Sequence, residues 1–211
     1  LALTAAAAAL PAIEAQADQV ADQFQFGYRY HSYEEDGLSE QVALGPSADR
    51  YDIDVNQFKL VAPINDTVEL TADYQKEKMS GASPWYTLDD GSGIVKQIMS
   101  GASIFDERTD AALTVKTVFG LNSLSVTAAT SDEDDYKSNS FAVSYSRDSE
   151  DKQATYSISA DVSNDDINPV DADLFTTRPA TEQSKRSNSI LLSYSRVINK
   201  QMLGKVSLGY S

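Results

Sequence analysis

The chain has no cysteine, one histidine (His31), one tryptophan (Trp85) and six prolines among 211 residues. Lack of Cys removes disulfide frameworks and thiolate metal sites from consideration. A single His leaves almost no material for a hydrolase, which needs a base beside its nucleophile. Basic residues are scarce: 17 Lys and Arg stand against 32 Asp and Glu, for a net charge of −15. That balance argues against nucleic acid, whose phosphates are met by clustered Lys and Arg. No stretch approaches the ~20 apolar residues of a membrane-spanning helix. Disorder is excluded from the other side, because 41% of the residues are hydrophobic and Tyr and Phe are frequent.

What is present begins with a processing signal. Leu1, Leu3, the alanines 5–9 and Leu10 form a short apolar core, Pro11 breaks it, and Ala15-Gln16-Ala17 supplies a small-x-small cleavage pattern. Residues 1–17 are therefore expected to be the remnant of a secretory signal peptide, with a mature start at Asp18. The sequence starts without Met and stops at Tyr210-Ser211 inside an alternating pattern. Residues 18–211 are accordingly expected to be the amino-terminal portion of one larger domain.

From there the period is two. Phe24, Phe26, Tyr28 and Tyr30 alternate with Gln23, Gln25, Gly27 and Arg29. The same alternation recurs at Val68–Leu70–Ala72–Tyr74, Ala111–Leu113–Val115–Phe119, Leu124–Val126–Ala128 and Phe141–Val143–Tyr145. It appears again at Tyr156–Ile158–Ala160–Val162, Ile190–Leu192–Tyr194 and Val206–Leu208–Tyr210. Successive strand side chains point to opposite faces, so each run is a strand with one apolar side. A further strand at residues 51–62 changes phase between Val55 and Phe58, which predicts a bulge. That makes nine strands. Long connections are expected at residues 32–50, 76–109, 131–137 and 163–187, and short ones at 63–66, 120–122, 147–153 and 198–201.

Strict alternation of long and short connections is the habit of an antiparallel up-and-down transmembrane β-barrel. No charge falls on the apolar stripes, whereas Arg29, Glu69, Asp73, Lys116, Asp161 and Lys205 fall on the opposite one. A Lys or Arg at the lipid midplane costs about 2–4 kcal/mol, so a lipid face should be clean in this way. Phe24, Phe119, Tyr145 and Tyr194 sit near strand ends, as interface aromatics do. Arg147 and Arg196 close two copies of Ser-Tyr-Ser-Arg beside short turns. These features point to the outer membrane of a Gram-negative bacterium. The expected partners are the lipid bilayer, lipopolysaccharide and the outer-membrane assembly machinery.

The connection between the third and fourth strands repeats itself. Met79-Ser80-Gly81-Ala82-Ser83-Pro84-Trp85-Tyr86 is followed by Met99-Ser100-Gly101-Ala102-Ser103-Ile104. This segment, with the Tyr28-Arg29-Tyr30-His31-Ser32-Tyr33 strand, resembles a bacterial family of uncharacterised outer-membrane β-barrels, domain of unknown function number thirty-five seventy. The resemblance implies a barrel roughly twice this length, and it implies no catalytic residue, because the family has no established activity.

Ser80, Gly81, Ala82, Ser83, Pro84, Trp85 and Tyr86 are the candidate site: a loop folded into the barrel mouth would form a constriction or a ligand contact. A structured surface loop without a ligand is the plain alternative. Acidic clusters at Glu34-Glu35-Asp36, Asp89-Asp90, residues 132–135 and Asp165-Asp166 are expected to be solvated loops rather than calcium sites. Residues 161–173 lack the Gly and Glu of a calcium loop at its sixth and twelfth positions. No catalytic residue, metal or cofactor is expected. The function expected is a channel or transport barrel for small polar solutes or ions. The alternatives are a non-conducting binding or structural barrel, such as an adhesin or envelope-complex component, and a soluble secreted β-sandwich.

Overall fold

Alternating side chains with few interior Gly or Pro residues give long strands here. The computed structural model describes residues 19–37, 43–44, 50–81, 84–89, 91, 93, 95–99, 104–168 and 182–211, with backbone alone at 43–44, 84–86, 99 and 104. The described strands are β1 (Gln25–Glu34), β2 (Ala43–Leu44), β3 (Asp52–Asn65), β4 (Val68–Gly81), β5 (Pro84–Asp89), β6 (Val95–Met99), β7 (Ile104–Phe119), β8 (Asn122–Asp132), β9 (Tyr136–Asp148), β10 (Ala154–Ile167), β11 (Gln183–Asn199) and β12 (Met202–Tyr210). Among the described residues there is no helix.

Nine of these strands form one sheet in the order β1-β3-β4-β7-β8-β9-β10-β11-β12, every neighbour pair antiparallel. All nine predicted strands are there, joined up and down. The sheet is open: β1 and β12 are its edges, and eight antiparallel pairings between them leave the two running in the same direction. The small strands β2, β6 and β5 make a second sheet that the periodicity did not reveal: β2 has two residues, and Val95-Lys96-Gln97-Ile98-Met99 carries no alternating apolar stripe.

Three expectations need correction. The connection at 131–137 is not long: β8 and β9 are joined through only Glu133, Asp134 and Asp135, with the Glu133 amide donating to the Tyr136 carbonyl. Strand pairing also runs well into the stretches read as long loops. Ser80 pairs with Asp52 and Phe105, and residues 161–167, part of the rejected calcium loop, lie within β10. Finally, there is no bulge between Val55 and Phe58, where register is continuous with both neighbours. The irregularity lies at Pro63–Asn65 instead. The apparent phase change has another cause. Asp54 and Asn56 share a face with Phe58 and Leu60, so that face turns from polar to apolar along β3, while Val55 is buried on the other side.

Few of the large hydrophobic side chains are buried. Buried hydrophobic side chains among the described residues are Val20, Val55, Val61, Ala62 and Ala154. Against these five, more than two dozen large hydrophobic side chains are exposed, Phe26, Val206 and Leu208 each at 71%. Cross-strand partners share a face, so the registers collect these residues into rows. One row runs Phe26, Leu60, Ala72, Leu113, Ala128, Phe141, Val162 across seven strands. Another runs Leu124, Tyr145, Ile158, Leu192, Leu208. Ring contacts tie the face together, with Tyr28 and Phe58 centroids 4.8 Å apart and Tyr156 and Tyr194 5.0 Å apart.

On two of the strands charge bounds this apolar band at both ends. On β9 the charges of this face are Lys137 and Arg147, and on β11 they are Arg186 and Arg196, each pair ten residues apart. Ion pairs of Lys76 and Lys78 with Glu107 (3.1 and 2.7 Å) and of Lys137 with Asp132 (3.2 Å) occupy its long-connection end.

Candidate functional site

The opposite face carries the polar side chains, and the same registers order them. Ser123, Ser146, Ser157, Ser193 and Ser207 form one row near the short turns. Ser123 and Ser146 hydroxyls lie 2.8 Å apart and those of Ser193 and Ser207 2.9 Å apart. Small hydroxyls hydrogen-bond across strands without filling the space above the sheet, so this end of the face is polar and shallow.

Nearer the long connections the residues are larger and charged. A single row crosses eight strands as Arg29, Gln57, Gln75, Asp110, Ser131, Ser138, Asp165, Lys185. Gln57 Nε2 donates to Gln75 Oε1 (2.6 Å), and Gln75 Nε2 donates to Glu77 Oε2 (3.4 Å). Farther along the row, Ser138 Oγ donates to Asp165 Oδ1 (2.7 Å). Arg108 stands one position beyond this row, with its Nε 2.9 Å from Asp110 Oδ2 and 3.3 Å from Glu133 Oε1. Gln57, Glu77 and Asp165 are buried.

The electrostatics of this cluster follow from one guanidinium among several carboxylates. Its members lie beyond the charge-free apolar band. Burial raises the Glu77 carboxyl above its ordinary range, with Arg108 pulling the other way. Burial likewise raises Glu133 and Asp106, helped in each case by neighbouring acids. Burial works against the Arg108 charge, but Asp110, Glu133 and Glu77 more than offset it, so its pKa is raised. Asp165 is lowered, chiefly by the Ser138 hydroxyl. A cavity of about 460 Å³ opens among these residues, lined by Gln57, Asp73, Gln75, Arg108, Asp110 and Ser131, among others. That volume is in the range of small-molecule sites. No three carboxylate or His groups among the described residues converge as a metal site would require.

At the other end of the face the chain crosses it. Val20 is buried, the Ala21 amide donates to Glu69 Oε2 (2.7 Å), and Lys116 Nζ donates to the Gln19 carbonyl (2.9 Å). The face therefore has an acidic cluster at one end and a docked segment at the other.

The sequence-derived site is only partly placed. Ser80 and Gly81 end β4 rather than forming a turn. Gly81 has φ 113° and packs against the Arg50–Tyr51 backbone, where any Cβ would collide with the Arg50 carbonyl. Pro84, Trp85 and Tyr86 begin β5, and Ala82 and Ser83 lie outside the described residues, as do Ser100, Gly101, Ala102 and Ser103. His31 pairs with Val55 in the register position next to Glu77. Sequence reasoning missed the Gln57–Gln75–Asp110–Ser131 row. Parity placed Gln75 on the polar face, but Ser131 fell in a stretch read as a connection and Gln57 in the expected bulge, and only the register aligns them. The family model described as Protein of unknown function (DUF3570) matches residues 1–211. No curated protein and no solved structure matches the chain.

Proposed function

Since the chain belongs to the DUF3570 family over residues 1–211, a family without a stated activity, we propose a function from its fold and site: part of an outer-membrane β-barrel that passes small polar solutes or ions along its polar face. The observation that carries this is the bounded apolar band. Ten residues between flanking charges on β9 and β11 span about 33 Å at about 3.3 Å per residue. A strand tilt of about 40° reduces that to about 25 Å, the height of the apolar band on transmembrane barrels. A soluble β-sandwich would lay a second sheet on this face, whereas Phe26, Val206 and Leu208 on it are each 71% exposed. Arg147 and Arg196 would then sit at the periplasmic boundary, and the long connections would meet lipopolysaccharide after insertion by the outer-membrane assembly machinery.

A non-conducting binding barrel is the second reading, favoured by residues 19–21, which lie across the polar face where a bore would open. Conductance separates the two. The full-length protein in a planar bilayer should give discrete steps in potassium chloride. Heat-modifiable protein that inserts without any steps would leave the binding barrel in its place.

A further inference from the structure

The segment before β1 lies outside the sheet, yet one of its side chains is buried: Val20, alone among residues 19–24. Two bonds hold the backbone on either side of it. Glu69 Oε2 accepts from the Ala21 amide (2.7 Å), and Lys116 Nζ donates to the Gln19 carbonyl (2.9 Å). Both bonds involve an ionised group, which makes them the stronger kind. Glu69 and Lys116 are register partners on β4 and β7, the third and fourth strands of the sheet. At about 4.8 Å per strand those positions lie about 10–14 Å in from the β1 edge. The segment therefore reaches inward from Gln25, where β1 begins, and crosses β3. On that path Val61, the register partner of Gln25, is only 5% exposed. Leu191 stands in the same row as Glu69 and Lys116, four strands beyond β7, and is 42% exposed. One side of the polar face is covered here and the other is bare.

The hold is local and reversible. It consists of two bonds to main-chain groups and one buried Val, with nothing covalent. Glu69 and Lys116 carry opposite charges at facing positions, so they can close on each other once the segment leaves. Release therefore strands no charge, and the two arrangements of this pair lie close in free energy. We propose that residues 19–21 are a displaceable strap that narrows the bore at its short-turn mouth, with Glu69 and Lys116 as the latch. The strap regulates the solute path of the reading above and rests on that reading.

Two measurements on the full-length protein test it, one in detergent and one in planar bilayers. The chain has no Cys, so Val20→Cys and Gln23→Cys each place a single thiol in it. A small aqueous thiol reagent should label Val20→Cys more slowly than the exposed Gln23→Cys. Losing a hydrogen bond to a charged group shifts an equilibrium about tenfold, so adding Lys116→Met should speed Val20→Cys labelling by about that factor. Lys205→Met, which removes a cation of the same face on β12, should leave the rate unchanged. Glu69→Ala serves in place of Lys116→Met if that variant does not fold. In bilayers Val20→Ser alters no charge, and it should raise the fraction of time spent at the highest conductance level. Equal labelling of Val20→Cys and Gln23→Cys, a rate unmoved by loss of the latch, or unchanged conductance in Val20→Ser overturns the strap and leaves the channel standing. Absence of steps from parent and Val20→Ser alike sinks the channel, and the strap as its regulator with it.

Discussion

Neighbouring residues on one strand carry opposite consequences. Val143 lies in the apolar row with Val126 and Ala160, and Ser144 lies in the polar row with Ser125 and Ser159. Val143→Lys should cost about 2–4 kcal/mol if the side chain meets hydrocarbon, and less where it can snorkel. Ser144→Lys should be nearly silent. A sandwich core would give the same signs, so labelling decides: in whole cells a membrane-restricted reagent should mark Val143→Cys and a small aqueous thiol reagent should mark Ser144→Cys. Aqueous labelling of both, with no lipid-side labelling of either, removes the strand from the membrane. Glu77 offers a second residue-scale test. Its carboxyl is raised in the folded chain by burial, so the native state binds its proton more tightly than the unfolded state does. The stability linked to it is present below the ordinary Glu value of 4.5 and is lost as pH rises through the folded value. Glu77→Gln should therefore be more stable than the parent at pH 7 and match it near pH 4. A variant less stable at pH 7 would mean that the Arg108 attraction outweighs burial.

At the scale of elements, the nine long strands were readable because each carries one uninterrupted apolar stripe. Tyr156, Ile158, Ala160 and Val162 alternate with polar residues throughout, and β10 forms where they stand. Their ends were not readable, because outside the apolar band both faces are polar and period two vanishes from the composition. Lys76, Glu77 and Lys78 look like loop, yet pair residue for residue with Thr109, Arg108 and Glu107. The same loss of contrast turned the band boundary at Asn56 into an apparent bulge and lengthened the β8–β9 connection. Of the candidate site, Gly81 stands where no side chain fits, because a Cβ there would meet the Arg50 carbonyl. The polar row could not be found from sequence, since register between strands is set by pairing across dozens of residues. The segment after β4 still invites a direct test. Replacing Pro84, Trp85 and Tyr86 with Gly and Ser should change single-channel conductance at unchanged assembly if that segment narrows the mouth. Identical conductance and ion selectivity would leave it as surface structure.

For the whole molecule the two edges matter most. In a bilayer an unpaired strand edge has no water to satisfy it, so residues 18–211 on their own should aggregate in detergent refolding rather than run as a heat-modifiable species. A stable, heat-modifiable form of residues 18–211 would show that this sheet can seal itself. The shared direction of β1 and β12 then sets a rule of parity. Joining them directly makes a parallel seam. A ring of copies does no better, because rotation about the bilayer normal preserves the direction of every strand, and each junction between β12 of one copy and β1 of the next is parallel again. Only an odd number of additional strands, entered in alternation, turns the seam antiparallel and brings the total to an even count, which is the count that bacterial single-chain barrels keep.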